Sequence, residues 1–161
     1  MAEIIRVGIA DAKICKAPNK ITTLGLGSCV GVVLYTDHKQ IAGLVHILLP
    51  SSKEINNNSN KAKFADTGVA LMIGMLKSEG LKPYSLMAKI AGGANMFNFS
   101  QDRGTGNIGD KNVVAVKEIL RAYNIRIVAE DTGKNYGRTI VFDVETSGLL
   151  IRSAGKPDKT I

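Results

Sequence analysis

Residues 30–50 read VGVVLYTDHKQIAGLVHILLP: two apolar runs on either side of the polar turn TDHKQ. Runs rich in Val, Ile and Tyr around so short a turn predict an antiparallel hairpin. Neither run alternates apolar with polar residues, so both strands are expected to be buried on both faces, under helices or a second sheet. With Asp37 and His38 as a two-residue loop, Thr36 faces Lys39, and counting back along the ladder places Cys29 opposite His46. Opposed side chains share a face, with Cβ atoms about 4.5–5.5 Å apart. A register slip of one residue would send them to opposite faces.

Outward from the hairpin, further strands are predicted over Ile4–Gly8, Ala12–Cys15, Leu86–Ile90, Arg126–Ala129, Thr139–Glu145 and Leu149–Arg152, the last two joined by a TSG turn. The segment SSKEINNNSN, residues 51–60, reads as a polar loop. After it, Phe64, Gly68, Leu71, Met72, Met75 and Leu76 recur at helical spacing, and Gly80 stands where a C-terminal cap is expected. A second helix is predicted from Asp110, as N-cap, to about Tyr123, with Val113, Val116, Leu120 and Tyr123 facing the core. The fold class is mixed α/β, packed sheets flanked by about two main helices. Residues 1–161 form a single domain, and 153–161 are expected to be a flexible tail.

The chain of 161 residues carries a formal net charge of +7 and two cysteines. A chain this long buries roughly two-thirds of its extended surface without disulfide staples. Glu3, Arg6 and Asp11 interrupt the N-terminus where a signal peptide would be apolar, and no run is long enough to span a bilayer, so the expected location is the cytoplasm, without membrane insertion. The positive charge favours an acidic partner. The lysines are scattered and aromatic residues are not interleaved with them, which argues against nucleic acid. His38, His46, Cys15 and Cys29 show no paired metal-ligand spacing, so no metal or other cofactor is expected.

A cysteine opposite a histidine carries chemistry, because the imidazole takes the thiol proton as the sulfur attacks an electrophile. Gly25 and Gly27 before Cys29 permit close backbone approach. Free N–H groups there, at Gly27 and Ser28, and in AGGAN at Gly92 and Gly93, are candidates for holding an oxyanion or positioning substrate. Read singly, Cys29 and Cys15 are ordinary core cysteines and His46 an interior histidine.

TLGLGSC, HILLP, KFADT, KIAGGANMF, NIGDKNVVAVKE and AEDTG follow one another in the order seen in the chemoreceptor glutamine deamidase family, CheD, and the chain resembles that family over most of its length. The resemblance implies a cysteine-dependent hydrolase that converts receptor glutamines to glutamate with release of ammonia. It assigns Cys29 as nucleophile, His46 as base and Thr23 as the residue that orients the histidine. It further implies chemoreceptor cytoplasmic helices as partner and substrate, and a CheC-type phosphatase as a second partner. DTGKN, with Lys134 where relatives read glycine, departs from the pattern.

Two rival readings stand beside this one. GTGNIG, with Gly104, Gly106 and Gly109 ahead of a helix, matches a dinucleotide-binding pattern, but no strand directly precedes it and Asp110 puts a carboxylate where a pyrophosphate would sit. A basic adaptor that binds acidic receptor helices without chemistry is the other, and release of ammonia separates it from an enzyme.

Overall fold

The computed structural model describes every residue except Met1, Lys39, Glu54 and 97–106, and the described residues form two five-stranded sheets and two α-helices in three layers. The strands are β1 (Ile4–Val7), β2 (Ala12–Lys16), β3 (Lys20–Leu26), β4 (Val30–Tyr35), β5 (Ile41–Ile47), β6 (Met87–Gly92), β7 (Arg126–Thr132), β8 (Arg138–Asp143), β9 (Gly148–Arg152) and β10 (Lys159–Thr160). The helices are α1 (Ala65–Ser78) and α2 (Ile108–Ala122). The outer sheet runs β1-β3-β8-β9-β10 and the central sheet β2-β5-β4-β6-β7. This is the single mixed α/β domain expected from the sequence.

The hairpin β4–β5 forms the middle of the central sheet, and its composition follows from that position. Val30, Val32, Leu34, Val45 and Ile47 pack with Val69, Met72, Leu76, Val116 and Leu120 of the two helices. Cys29, Val33, Tyr35, Ala42 and Leu44 point the other way, into an apolar layer shared with Ile21, Leu26, Ile140 and Phe142 of the outer sheet. Alternate residues thus enter two different cores, so nothing along the hairpin needs to be polar for solvent. Gly43 and Gly68 bring α1 close: a Cβ at Gly43 would collide with Met72, and one at Gly68 with Ile47.

Helix ends follow local chemistry. Gly80 (φ +95°) closes α1, with its N–H on Lys77 O and the Leu81 N–H on Leu76 O, a Schellman arrangement that satisfies two terminal carbonyls. The N-cap of α2 is Asn107 rather than Asp110. Asn107 Oδ1 accepts the Asp110 N–H at 2.8 Å and Asn107 Nδ2 donates to the Asp110 carboxylate at 2.8 Å, so Asp110 sits in the first turn. Val116 and Leu120 are buried as expected, whereas Tyr123 caps the helix and is 45% exposed.

Three further features differ from expectation. Lys20–Leu26, where no strand is predicted from the sequence, is strand β3, held between β1 and β8. The hairpin pairs Tyr35 with Ala42 and Gly31 with His46, a turn two residues longer than predicted. Because the side-chain period is two, this even shift leaves Cys29 and His46 on one face as diagonal neighbours rather than directly opposed. The tail from 153 onward, expected to be loose, returns to the outer sheet: β10 pairs with β9, and Ile161 exchanges both backbone hydrogen bonds with Leu149 while packing on the inter-sheet layer.

Candidate functional site

Three chain segments meet where the two sheets face each other. β3 supplies Thr23, whose register with β8 breaks between Thr23 and Leu26 in a bulge; Gly25 there adopts φ +69°. That break turns the chain out of the outer sheet and delivers Cys29 to the start of β4 in the central sheet. β5 supplies His46, whose backbone N–H donates to Asp11 O and whose carbonyl accepts the Ala10 N–H, so the β1–β2 turn fixes it from the far side. Gly31, directly opposite His46, has no room for a side chain beneath Ile140 and Leu26 of the outer sheet.

The imidazole lies wholly inside the protein, and its Nδ1 is 2.7 Å from Thr23 Oγ1. The Thr23 hydroxyl has one proton, and it goes to the Val7 carbonyl at 2.8 Å, which only accepts. Thr23 Oγ1 therefore accepts from His46, and this network assigns the proton to Nδ1. Nε2 is left with a bare lone pair, buried and without a hydrogen-bond partner among the described residues. A buried, unpartnered ring nitrogen on the face it shares with a thiol is a base waiting for a proton.

Both groups are neutral at rest. Burial pushes the Cys29 thiol above its ordinary pKa, with its own backbone N–H pulling it part of the way back. Burial also lowers His46 to about 4. Charge separation to thiolate and imidazolium is disfavoured in this dry layer, so the arrangement suits proton transfer concerted with attack on an electrophile.

The four backbone positions named from sequence surround Cys29, but two of their N–H groups are occupied. The Gly27 N–H donates to Gly25 O at 3.0 Å and the Gly93 N–H to Cys29 O at 2.8 Å, so neither is free for an oxyanion. Gly92 and Gly93, at φ +114° and +67°, serve close approach instead: a Cβ on Gly92 would run into the Cys29 carbonyl. The Ser28 carbonyl accepts a hydrogen bond from Asn112 Nδ2 at 2.9 Å.

Two polar residues that the sequence reading passed over are part of this framework. Asn112, fully buried on α2, stands in a helix whose inward face is otherwise apolar, and that is the signal that could have singled it out. Arg138, 2% exposed, binds Asp131 at 3.1 Å and the Gly133 carbonyl at 3.0 Å; Lys159 completes the cluster at 3.2 Å from Asp131. Burial alone would raise the Asp131 pKa, but Arg138 and Lys159 outweigh it and hold the carboxyl below its ordinary range.

Gly104 and Gly106 of the dinucleotide-like pattern lie outside the described residues. Gly109 is inside α2, pressed against the carbonyls of Gly93 and Ala94, and the helix start beside it is closed by the Asn107–Asp110 cap. Among the described residues no three His, Cys, Asp or Glu side chains gather as metal ligands, and no helix is long and apolar enough to cross a membrane.

Comparison with known proteins bears on the whole chain. It is 55% identical over 161 residues, all of both chains, to a probable chemoreceptor glutamine deamidase CheD of Lachnoclostridium phytofermentans. It is 48% identical over 161 residues, 99% of this chain and 97% of the other, to the chemoreceptor glutamine deamidase CheD of Bacillus subtilis. Among solved structures, that of the Neisseria meningitidis protein NMB0706, of family DUF152, superimposes over 81% of this chain and 64% of its own with a TM-score of 0.52; at 11% identity this likeness concerns the fold alone. The sequence profile described as CheD chemotactic sensory transduction matches residues 48–153, beginning just after His46, while the full-length relatives span Thr23, Cys29 and His46 as well. On both the profile and the full-length relatives, the chain belongs to the CheD family.

Proposed function

We propose that the protein is a chemoreceptor glutamine deamidase that uses Cys29 as nucleophile, His46 as general base and acid, and Thr23 to hold the histidine. The observation that carries this reading is the Thr23–His46 hydrogen bond, which fixes the proton on Nδ1 and leaves a bare Nε2 on the face occupied by the thiol. The names of its full-length relatives supply the substrate class.

In this mechanism the Cys29 sulfur adds to the carboxamide carbon of a receptor glutamine while its proton passes to His46 Nε2. The tetrahedral intermediate collapses, the C–N bond breaks, and Nε2 returns the proton to the departing ammonia. Water then adds to the thioester as Nε2 takes one of its protons. Cleavage of the C–S bond leaves glutamate, and the proton goes back to the sulfur. One water is consumed and one ammonia released per glutamine. No charged residue is needed next to the histidine, because the Thr23 oxygen stabilises the Nδ1–H orientation in a layer that disfavours ions.

The partners follow from the same reading: the cytoplasmic helices of chemoreceptors as substrate, and a CheC-type phosphatase as a second partner, both in the cytoplasm. The net charge of +7 would steer the protein to acidic helices. The test is to incubate a receptor cytoplasmic domain with the protein and read both ammonia and peptide masses. A gain of about one dalton at defined glutamines is expected, from replacement of an amide NH2 by OH. Binding to the receptor without ammonia or a mass gain would overturn the enzyme reading in favour of a basic adaptor.

A further inference from the structure

Asn112 occupies a position on α2 where an apolar side chain would pack, since Val116 and Leu120 on the same helix lie in the core. Its carboxamide instead donates from Nδ2 to two carbonyls, Ser28 O at 2.9 Å and Leu48 O at 3.0 Å. These are the residues just before Cys29 and just after β5, so one side chain clamps both ends of the segment that holds the thiol and the imidazole. The amide orientation is fixed by chemistry: with Oδ1 and Nδ2 exchanged, an oxygen would face two carbonyl oxygens. Oδ1 is left buried and unpartnered, a destabilising feature that packing alone does not call for.

The consequence lies in the peptide between Ser28 and Cys29, which is trans. In a planar trans peptide the C=O and the next N–H point in opposite directions. Drawing the Ser28 oxygen towards α2 therefore turns the Cys29 N–H away from it. The Cys29 carbonyl is taken by the Gly93 N–H and the Gly27 carbonyl by the Ala94 N–H, whereas the Cys29 N–H has no carbonyl partner among the described residues. It belongs to the residue whose sulfur would bond to a carbonyl carbon.

Building on the proposed nucleophile, we propose that Asn112 is a positioning residue that orients the Ser28–Cys29 peptide so that the Cys29 N–H receives the oxyanion formed when the thiol adds to a carbonyl. The occupied N–H groups of Gly27 and Gly93 are then parts of the scaffold around this donor rather than donors themselves.

Two small probes of Cys29 separate this role from a merely structural one. Acylation by p-nitrophenyl acetate passes through an oxyanion, whereas alkylation by iodoacetamide displaces iodide at a saturated carbon and leaves no negative charge on a carbonyl oxygen at that N–H. In Asn112→Leu, acylation of Cys29 is expected to fall about 10²-fold, the effect of losing one oxyanion donor, while alkylation stays within about threefold of wild type. Peptide-resolved mass spectrometry follows Cys29, with Cys15 as internal reference. Asn112→Ser, which keeps a donor and admits water, should fall between the two, and the same ratio is read on it if Asn112→Leu does not fold. Unchanged acylation, or acylation and alkylation falling together in a folded variant, would overturn the proposal. Because neither probe involves a receptor, a wild-type protein that acylates normally but leaves receptor glutamines intact would count against the deamidase reading alone.

Discussion

Cys15 and Cys29 lie in the same apolar layer between the two sheets, and burial does not tell them apart: they are 3% and 7% exposed. Cys15 sits inside β2, where Asp143 adds to burial in raising its thiol to about 11. Cys29 stands at the head of β4, with a histidine diagonal to it on the same face. Reactivity in this protein is thus a matter of what stands beside a buried thiol. An interior cysteine with only a carboxylate nearby is made inert, and one with an oriented imidazole is given a proton acceptor.

The largest break between the two sites is expected in turnover. Cys29→Ser should lower receptor deamidation by about 10³-fold or more, and His46→Ala by a similar factor, because the proposed nucleophile and base would act as a unit. Cys15→Ser should stay within about twofold. Peptide masses of the receptor after a fixed incubation check all three, and a Cys15 variant as inactive as the Cys29 variant would erase the distinction.

The next difference is in how stability responds to pH. His46 titrates near 4 in the folded protein against 6.5 when unfolded. Below pH 6.5 the unfolded chain therefore binds a proton that the folded chain refuses, and stability falls as pH drops towards 4. At 1.36 kcal/mol per pKa unit, the loss between pH 6.5 and 5 is about 2 kcal/mol. Cys15, raised from 9.0 to about 11, works on the other side: the unfolded thiol ionises first, and stability is lost as pH rises above 9. Urea unfolding at several pH values should show the acid slope flatten in His46→Leu and the alkaline slope flatten in Cys15→Ala.

A smaller effect should follow from the residue that joins the sheets at the site. Thr23→Val leaves the His46 Nδ1–H and the Val7 carbonyl without their shared partner, and turnover should fall about tenfold, in line with a lost buried hydrogen bond of about 1–2 kcal/mol. Thr23→Ser keeps the hydroxyl and should restore most of the rate. Parallel losses in both variants would assign the position to packing.

The smallest contrast is in alkylation. Iodoacetamide should modify Cys29 about fivefold faster than Cys15 at neutral pH, and the gap should close in His46→Ala. Equal rates in the native protein would mean that imidazole and thiol do not communicate.

The hairpin announced the fold because β4 and β5 are apolar on both faces, and only a strand between two packed layers can be. It also put Cys29 and His46 on one face, since an error of two residues in register preserves sidedness where an error of one would not. β3 was not legible: Gly25 and Gly27 drew attention as points of close backbone approach, whereas Ile21, Thr22 and Thr23 just ahead of them are β-branched residues in a paired strand that ends in a bulge. Thr23 was marked by family resemblance, because a threonine carries no charge to betray the role proposed for it. Asn107, only three residues before Asp110, is an equally good cap, and local propensity does not rank the two. The tail was misread because its composition is polar. What holds it is the backbone ladder to β9 and the contact between Lys159 and Asp131, which is distant in sequence.

The bond between Thr23 and His46 has a consequence for how this chemistry could be moved or borrowed. Cys29 and His46 belong to one contiguous hairpin, and a designer could lift that hairpin onto another sheet as a unit. The hydroxyl that chooses the tautomer, and the Val7 carbonyl that in turn fixes the hydroxyl, belong to the opposite sheet. A transplanted hairpin would carry the proposed nucleophile and base and lose the instruction about where the proton resides. On the proposed mechanism the activity is a property of two sheets held face to face, and the smallest portable unit is the sandwich itself.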